Sequence, residues 1–279
     1  MLVFWAGKRK IMELPRPHFE NPPINEVAVC VVFKKIDGFQ AVHFGEFWTK
    51  IRRHFPKTQD VAPLDHVSTA GGNGVEIQIS AKPPLPRVWF EGISRHELIQ
   101  LQDDRFIFNW RKLEDGLYPR FEEVFNNFKK YWDLFVQYIS ESGLGNISIT
   151  QYELTYINII NLKKTPLTVI DLANVFNGNA LIGHKDCFLP SPSGFNWQTF
   201  YPFPDNQGSL NINAISGLSQ ENKSIVARLD MVARGTPQEK ENIEAGLEEW
   251  FNMAHLWIVN GFVAITTENA QRELWGRVE

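Results

Sequence analysis

Cysteine is scarce in this sequence, with only Cys30 and Cys187 among 279 residues. Two cysteines do not make a disulfide framework, and such scarcity is typical of proteins from a reducing compartment. A secretory signal is also missing, because the apolar run Met1–Gly7 is too short and basic residues follow it instead of preceding it. No later stretch approaches the about 18 consecutive apolar residues of a membrane span. We therefore expect a cytoplasmic protein without a membrane partner.

The chain also lacks a surplus of basic charge, since 28 Lys and Arg stand against 32 Asp and Glu for a net charge of −4. A dedicated binder of duplex DNA usually carries a basic surplus, so duplex DNA is not an expected partner. The hydrophobic content of 43% and the charged content of 22% are those of a folded soluble protein. A chain of this length buries a substantial core as one large domain or two modules.

The signatures of common catalytic and cofactor sites are missing as well. Gly71–Gly74 leads into a strand pattern, whereas a phosphate-binding loop carries Gly-Lys-Ser/Thr and leads into a helix. There is no Gly-x-Ser-x-Gly elbow, and the potential ligands His184, Asp186 and Cys187 have no second cluster at zinc-like spacing. We therefore predict no metal site and no cofactor, and the sequence favours a protein that is not an enzyme.

Aromatic residues are abundant, with 21 Phe and 9 Trp, and we expect most of them in the core. Val27–Phe33 is a continuous apolar run rich in β-branched residues, which predicts a buried central strand. From Phe44 to Phe55, apolar residues recur every three or four positions, which predicts a helix that Pro56 ends. Residues 1–20 are expected to form a loose leader before these elements.

The segment Glu97–Lys112 predicts a β-hairpin with Asp103 and Asp104 at its tip. In that register Leu101 lies opposite Phe106, and Ile99 lies opposite Phe108. The period-2 alternation of a strand then places an apolar set on one face: Ile99, Leu101, Phe106, Phe108 and Trp110. The other face carries amide and guanidinium groups: Gln100, Gln102, Arg105, Asn109 and Arg111.

Leu117–Gly143 contains the strongest helical pattern of the chain, with Gly143 at the C′ position that ends it. We expect this helix to lie across the apolar face of the hairpin. Its predicted apolar stripe is Phe121, Val124, Phe125, Phe128, Trp132, Phe135, Val136 and Ile139. The second half repeats this order with a strand in Ile147–Asn161, a short helix in Leu167–Phe176, a loop at 177–207, a hairpin of Leu210–Ser216 and Ser224–Arg234, and a long helix after Pro237.

These patterns predict an α+β fold with one or two antiparallel sheets and one long amphipathic helix packed on each of two halves. The first α+β module would comprise residues 21–145 and the second residues 146–279. Two interpretations stay open at this point: the halves are a structural duplication of separate modules, or they form one continuous domain.

The polar face of the hairpin is the candidate ligand-binding site. Amide side chains supply directional donors, and arginine forks suit carboxylates, phosphates or base edges. The predicted ligand-binding residues are Gln100, Gln102, Arg105, Asn109, Arg111 and, from the hairpin of the second half, Arg228. The alternative interpretation is a face that is merely solvated, because antiparallel sheets commonly expose one face to water.

Several short motifs along the chain occur in an order that resembles a known family. They are Phe19-x-Asn21-Pro22-Pro23-Ile24-x-Glu26-Val27, Gly45-x-Phe47-Trp48, Leu98–Gln102 with Arg105-Phe106, Asn109-Trp110-Arg111-Lys112, Tyr118-Pro119-Arg120-Phe121, Glu153–Asn158 and Trp275-Gly276-Arg277. Together they resemble a family of bacterial and archaeal proteins known only as "sporadically distributed", over nearly the whole chain from Phe19 onward. The resemblance implies a prokaryotic protein associated with mobile elements or anti-phage defence, and it assigns no catalytic residue.

Three functions are compatible with the sequence. The first is a non-enzymatic binding or regulatory protein that recognises a protein partner or a small anionic ligand through the polar face or the 177–207 loop. The second is an enzyme acting on a nucleotide or nucleic acid, with Arg105, Arg111 and Arg228 holding phosphate. The third is a structural subunit of a larger complex with aromatic residues in its interface. We favour the first, because the chain has a full fold signature without a catalytic constellation.

Overall fold

Strands and helices alternate along the chain in the computed structural model, which describes residues 16–64, 85–113, 116–162, 166–178, 188–219, 224–237 and 243–278. The strands are β1 (His18–Phe19), β2 (Ile24–Phe33), β3 (Lys57–Val61), β4 (Arg87–Glu91), β5 (Glu97–Gln102), β6 (Arg105–Arg111), β7 (Ile149–Ile160), β8 (Asn196–Pro202), β9 (Ser209–Leu218), β10 (Ile225–Gly235) and β11 (Arg277–Val278). The helices are α1 (Ala41–Ile51), α2 (Phe121–Glu141), α3 (Val169–Ala173), α4 (Ile243–Ile265) and α5 (Glu268–Glu273). The motif Gly71–Gly74 and the residues His184, Asp186 and Cys187 lie outside these ranges.

Nine of the described strands form one sheet in the order β3-β4-β5-β6-β2-β7-β10-β9-β8. Every neighbouring pair in it is antiparallel. The two long helices pack against the same apolar face, α2 on β6 and α4 on β7 and β10. The predicted α+β fold with antiparallel strands and long packed helices is therefore confirmed.

Both halves of the chain follow the same strand order within this sheet. In each half the first strand (β2 or β7) lies at the centre, the last strand (β6 or β10) pairs with it, and the earlier strands lie further out. A long helix follows the last strand of each half. β2 pairs directly with β7, with Val29 opposite Leu154, so strands of both predicted modules share one sheet.

Helix α2 buries a wide aromatic stripe against the sheet. Phe128, Trp132 and Phe135 surround Phe106 of β6 at ring-centroid distances of 6.2, 5.7 and 5.5 Å. Seven of the eight predicted stripe residues are buried, whereas Val136 is 37% exposed. Two tyrosines are buried in addition, Tyr131 and Tyr138. Tyr138 fits this face because its hydroxyl reaches the side chain of Glu46 at 2.8 Å, which satisfies its polar end.

The hairpin β5–β6 has the register expected from the sequence. Asp103 and Asp104 form its turn, Leu101 pairs with Phe106, and Ile99 pairs with Phe108. All five predicted apolar residues of the hairpin are buried under α2 and its neighbours: Ile99, Leu101, Phe106, Phe108 and Trp110. The apolar alternation therefore identified the core face of these two strands correctly.

The two outermost strands lie in segments for which no strand was predicted. β3 follows α1, and β8 falls in the 177–207 segment, which was predicted as a loop. Edge strands need only one hydrogen-bonded neighbour and are half solvated, so their sequences carry a weak apolar signal. Helix α1 also ends before Pro56, at Ile51. The backbone N–H groups of His54 and Phe55 both bond to the carbonyl of Ile51 and form a closing turn.

The last residues of the expected leader belong to the fold. β1 pairs with β11, and Phe19 packs on Phe262 and Trp275 at ring-centroid distances of 5.5 and 6.4 Å. Residues 16–20 are therefore not a loose leader, because a buried aromatic anchors them to the C-terminal end of the chain. No helix in the described parts of the chain is long and apolar enough to cross a membrane.

Candidate functional site

The predicted ligand-binding residues lie on the sheet face opposite the long helices. Four of them, Gln100, Gln102, Arg105 and Asn109, are only 2–7% exposed. Arg111 is partly exposed at the end of β6, and the side chain of Arg228 on β10 is 50% exposed. The expectation of a merely solvated face is therefore wrong for the first-half strands, where these polar side chains are buried.

A chain of hydrogen bonds links four strands on the buried part of this face. Trp89 Nε1 and Arg87 Nη1 both donate to Gln100 Oε1, at 3.0 and 2.9 Å. Gln100 Nε2 donates to Asn109 Oδ1 at 2.8 Å, and Asn109 Nδ2 donates to Glu26. An indole N–H is only a donor, so it fixes the oxygen of Gln100 toward Trp89 and thereby orients each following amide. The chain ends on the carboxyl group of Glu26.

Glu26 is the functional candidate that sequence reasoning missed. Burial raises its pKa, which the hydrogen bond from Asn109 and the charges of Arg111 and Arg228 counteract. The structure thus brings four of the predicted residues, Gln100, Asn109, Arg111 and Arg228, into one electrostatic group around this carboxyl. A signal was present in the sequence, because period-2 alternation starting at Glu26 places it on the face opposite Val27 and Val29.

The other two predicted residues serve the hairpin itself. Arg105 binds the neighbouring Asp104 through two parallel hydrogen bonds of 2.9 and 3.1 Å, and both side chains are buried. Gln102 accepts from the backbone N–H of Leu64 at 2.9 Å and donates to its carbonyl at 3.2 Å. These contacts fix the turn and hold the segment after β3, and they lie apart from Glu26.

The second-half strands expose the same face. Two charge pairs lie on it, Arg234 with Glu153 across β10 and β7, and Arg228 with Asp230 at 2.8 Å along β10. Apolar side chains alternate with these pairs and are partly or fully exposed: Ile157, Ile159, Phe200, Ile215 and Val232. We call this surface, with Arg228 and Asp230, the open face. It combines apolar area with charges that are already paired.

Cys30 lies on the same side of the sheet, opposite Glu153 in the β2–β7 register. Burial raises the pKa of its thiol, with the charge of Glu153 acting in the same direction, so Cys30 is held as a neutral thiol. Within the described ranges, no group of three or more His, Cys, Asp or Glu side chains is arranged to hold a metal ion.

Comparison of the chain with protein-family models, with curated proteins and with solved structures finds no match. Its function is therefore inferred from the geometry of its own residues.

Proposed function

We propose that this chain is a non-enzymatic binding protein that recognises a protein partner through the open face. The observation that carries the proposal is the exposure of large apolar side chains on this sheet surface, with Ile215 39% and Phe200 66% exposed. Exposed apolar groups interspersed with arginine and aromatic residues are characteristic of protein interfaces.

The predicted ligand-binding arginines already lie beside carboxylates, which supports a protein partner over a partner that carries phosphate. Arg105 binds Asp104, Arg111 lies 3.4 Å from Glu91, and Arg228 binds Asp230. A phosphate group would have to displace a carboxylate from each of these guanidinium groups, and for the buried Arg105 this would leave a charged Asp104 without its ion pair. The nucleotide or nucleic-acid enzyme therefore has less support than the binding protein.

The buried hydrogen-bond chain supports the proposal in a different way. It ties β4, β5, β6 and β2 together beside the open strands, so the surface presented by β7, β10, β9 and β8 is attached to a stiff sheet. A rigid surface loses little conformational entropy when a partner binds, which favours affinity. Gln100 and Asn109 then act as structural supports of the binding face.

The proposal is tested by capture of the partner from native cells with Ile215→Glu and a matched control. Val136 on α2 has nearly the same exposure, 37% against 39%, and lies on the opposite side of the molecule. We expect Ile215→Glu to lose the partner seen with the wild type after cross-linking, whereas Val136→Glu retains it. Equal melting temperatures of the two variants would show that both are folded.

Retention of the same partner by Ile215→Glu would contradict a role for the open face. A stoichiometric complex that never dissociates would favour the structural subunit, whereas an exchangeable partner favours a regulatory protein. The anti-phage or mobile-element association implied by the family resemblance adds a second expectation. A partner encoded in the neighbouring genes would support it.

A further inference from the structure

A small cavity lies on the helix side of the sheet, away from the open face. Its volume is about 140 Å³, and it is bordered by residues 16–24, the N-terminus of α2, and α4. A water molecule occupies about 30 Å³ in the liquid, so the cavity has room for a molecule of several heavy atoms. The lining includes five side chains with hydrogen-bonding groups that the open face does not use: His18, Tyr118, Arg120, Tyr156 and His255.

Three of these side chains form a hydrogen-bonded relay. The hydroxyl groups of Tyr118 and Tyr156 lie 2.9 Å apart, and the Tyr156 hydroxyl lies 3.0 Å from Nδ1 of His255. The imidazole of His255 stacks on Phe121 with a centroid distance of 4.1 Å and an interplanar angle of 10°. The hydrogen bond with Tyr156 therefore holds the edge of the His255 ring, and the stacking on Phe121 holds its face.

His255 offers its second nitrogen to the cavity. Its side chain is only 8% exposed, and its Nε2 makes no hydrogen bond with any described residue. Burial, with a smaller contribution from Arg16, lowers the pKa of His255 to about 3, so the ring is neutral near pH 7. When Tyr118 donates to Tyr156 and Tyr156 donates to Nδ1, the single ring proton resides on Nε2. The relay then presents a buried donor to the cavity.

Arg120 contributes a positive charge at the same place. Its guanidinium donates to the carbonyl of Phe19 at 3.0 Å and lies 3.1 Å from Nε2 of His18, and neither partner is a carboxylate. Among the described residues Arg120 has no carboxylate partner, unlike Arg105, Arg111 and Arg228. Among the described residues of the lining, the one carboxylate is Glu122, and it is already bound by Arg16 at 3.0 Å. No described residue of the cavity therefore neutralises the positive charge of Arg120.

The N-terminus of α2 adds further donors. Arg120 is the N-cap residue of this 21-residue helix, and its side chain makes no capping hydrogen bond to the first turn. The first backbone N–H groups of a helix have no partner within the helix and attract anions. Arg120 also has φ 80° and ψ 158°, a conformation that costs a non-glycine residue about 1–3 kcal/mol.

We propose that this cavity binds a small molecule through a carboxylate or phosphate group. The Arg120 guanidinium and Nε2–H of His255 donate to the oxyanion, and the first-turn amides of α2 complete the site. A carboxylate or phosphate group can pair with the Arg120 guanidinium and accept the hydrogen bond from His255 at the same time. A cationic ligand would be repelled by the charge of Arg120. The site is separate from the open face and does not depend on the proposed protein partner.

Calorimetric titration of the full chain with sodium phosphate and with sodium acetate, at constant ionic strength set by NaCl, tests the site. We expect saturable binding of at least one anion by the wild type. Arg120→Gln and His255→Phe should each weaken binding tenfold or more, the second while retaining a ring to stack on Phe121. Arg53→Gln, at an exposed position in the turn after α1 that does not line the cavity, is the matched control and should bind like the wild type.

The outcomes separate the two ligand classes. Tighter binding of phosphate points to a phosphate ester, and tighter binding of acetate points to a carboxylic acid. Absence of saturable binding of both anions overturns the proposal. Binding that neither Arg120→Gln nor His255→Phe weakens overturns it as well. The two variants change independent positions, so if one of them fails to fold, the other still tests the site. The wild-type titration depends on neither variant.

Discussion

At the scale of single residues, the amides of Gln100 and Asn109 show why polar groups occupy a buried strand surface. Each accepts a hydrogen bond on one side and donates one on the other, from Trp89 through to Glu26. A buried amide without partners would cost about 1–3 kcal/mol, and this series leaves neither amide without a partner. Their residue types, interpreted from sequence as ligand contacts, have a structural use in the folded chain.

His255 leads to a prediction on the pH dependence of stability. Its pKa is about 3 in the folded chain and near 6.5 when exposed. The ionisable groups that line the cavity with it are Arg16, His18, Tyr118, Arg120, Glu122 and Tyr156. The unfolded state therefore binds more protons below pH 6.5, so stability falls as pH decreases from about 6.5 toward 3, by at most about 1.4 kcal/mol per pH unit from this group.

Urea unfolding of wild type and His255→Gln between pH 4 and 7 measures this effect. We expect the variant to lose less stability than the wild type across that range, because glutamine does not titrate and can still bond to Tyr156. Val136→Ala, which removes no titratable group, is the control and should follow the wild-type slope. Parallel curves for wild type and His255→Gln would show that the imidazole is not kept neutral by burial.

At the scale of elements, the hairpin β5–β6 and helix α2 form the most densely aromatic part of the core. Phe106 is enclosed by Phe128, Trp132 and Phe135, and Phe47 of α1 contacts Phe106 and Phe135 as well. Offset and edge-to-face ring pairs contribute energy beyond the burial of their area. The helix and hairpin therefore stabilise one another through side-chain packing.

Phe128 is the residue at which this packing is best measured. It is fully buried and contacts Phe125, Trp132 and Phe251 in addition to Phe106, so it links α2 to both α4 and the sheet. Phe128→Ala is expected to lower the free energy of unfolding by about 3–5 kcal/mol. Val136→Ala on the same helix should change it by less than about 0.5 kcal/mol. Chemical denaturation of both variants provides the comparison, and equal destabilisation would contradict the packing described.

At the scale of the whole molecule, the β2–β7 pair joins the halves of the chain. Val27, Val29 and Val31 of β2 are fully buried beside β7, whose Leu154 is fully buried too. Helices α2 and α4 also meet, with Phe125 and Phe128 against Phe251 at 5.4 and 5.6 Å. The central pair and the helix contact together bury apolar surface that neither half covers alone.

Separate expression of residues 1–145 and 146–279 tests the dependence of one half on the other. A fragment ending at 145 exposes the long apolar edge of β2, which is a template for pairing with another chain. We expect each fragment alone to self-associate or remain unfolded, and the two expressed together to form a one-to-one complex. Size-exclusion chromatography with light scattering distinguishes these states. A monomeric, cooperatively unfolding 1–145 fragment would instead establish an independent first module.

Local patterns were sufficient to predict the elements with a strong period. The alternation in β5 and β6 gave the register and the core face, and the 3.6-residue period gave α2 with Gly143 at its end, where φ is 71°. The edge strands β3 and β8 were missed because half-solvated strands lack such a pattern. The candidate polar residues were placed on the correct face, yet their burial and partners depended on strands far apart in sequence.

The sequence by itself determined which residues face the core along each strand and helix, because that property depends only on the local repeat of the backbone. Only the tertiary structure decided that β2 of the first half pairs with β7 of the second half at the centre of the sheet, with the hairpin strands of each half further out. It also decided that Glu26 ends a buried amide chain and that His255 meets Tyr156, since residues 99 positions apart come together only through packing. Long-range pairing of this kind leaves no period in the sequence.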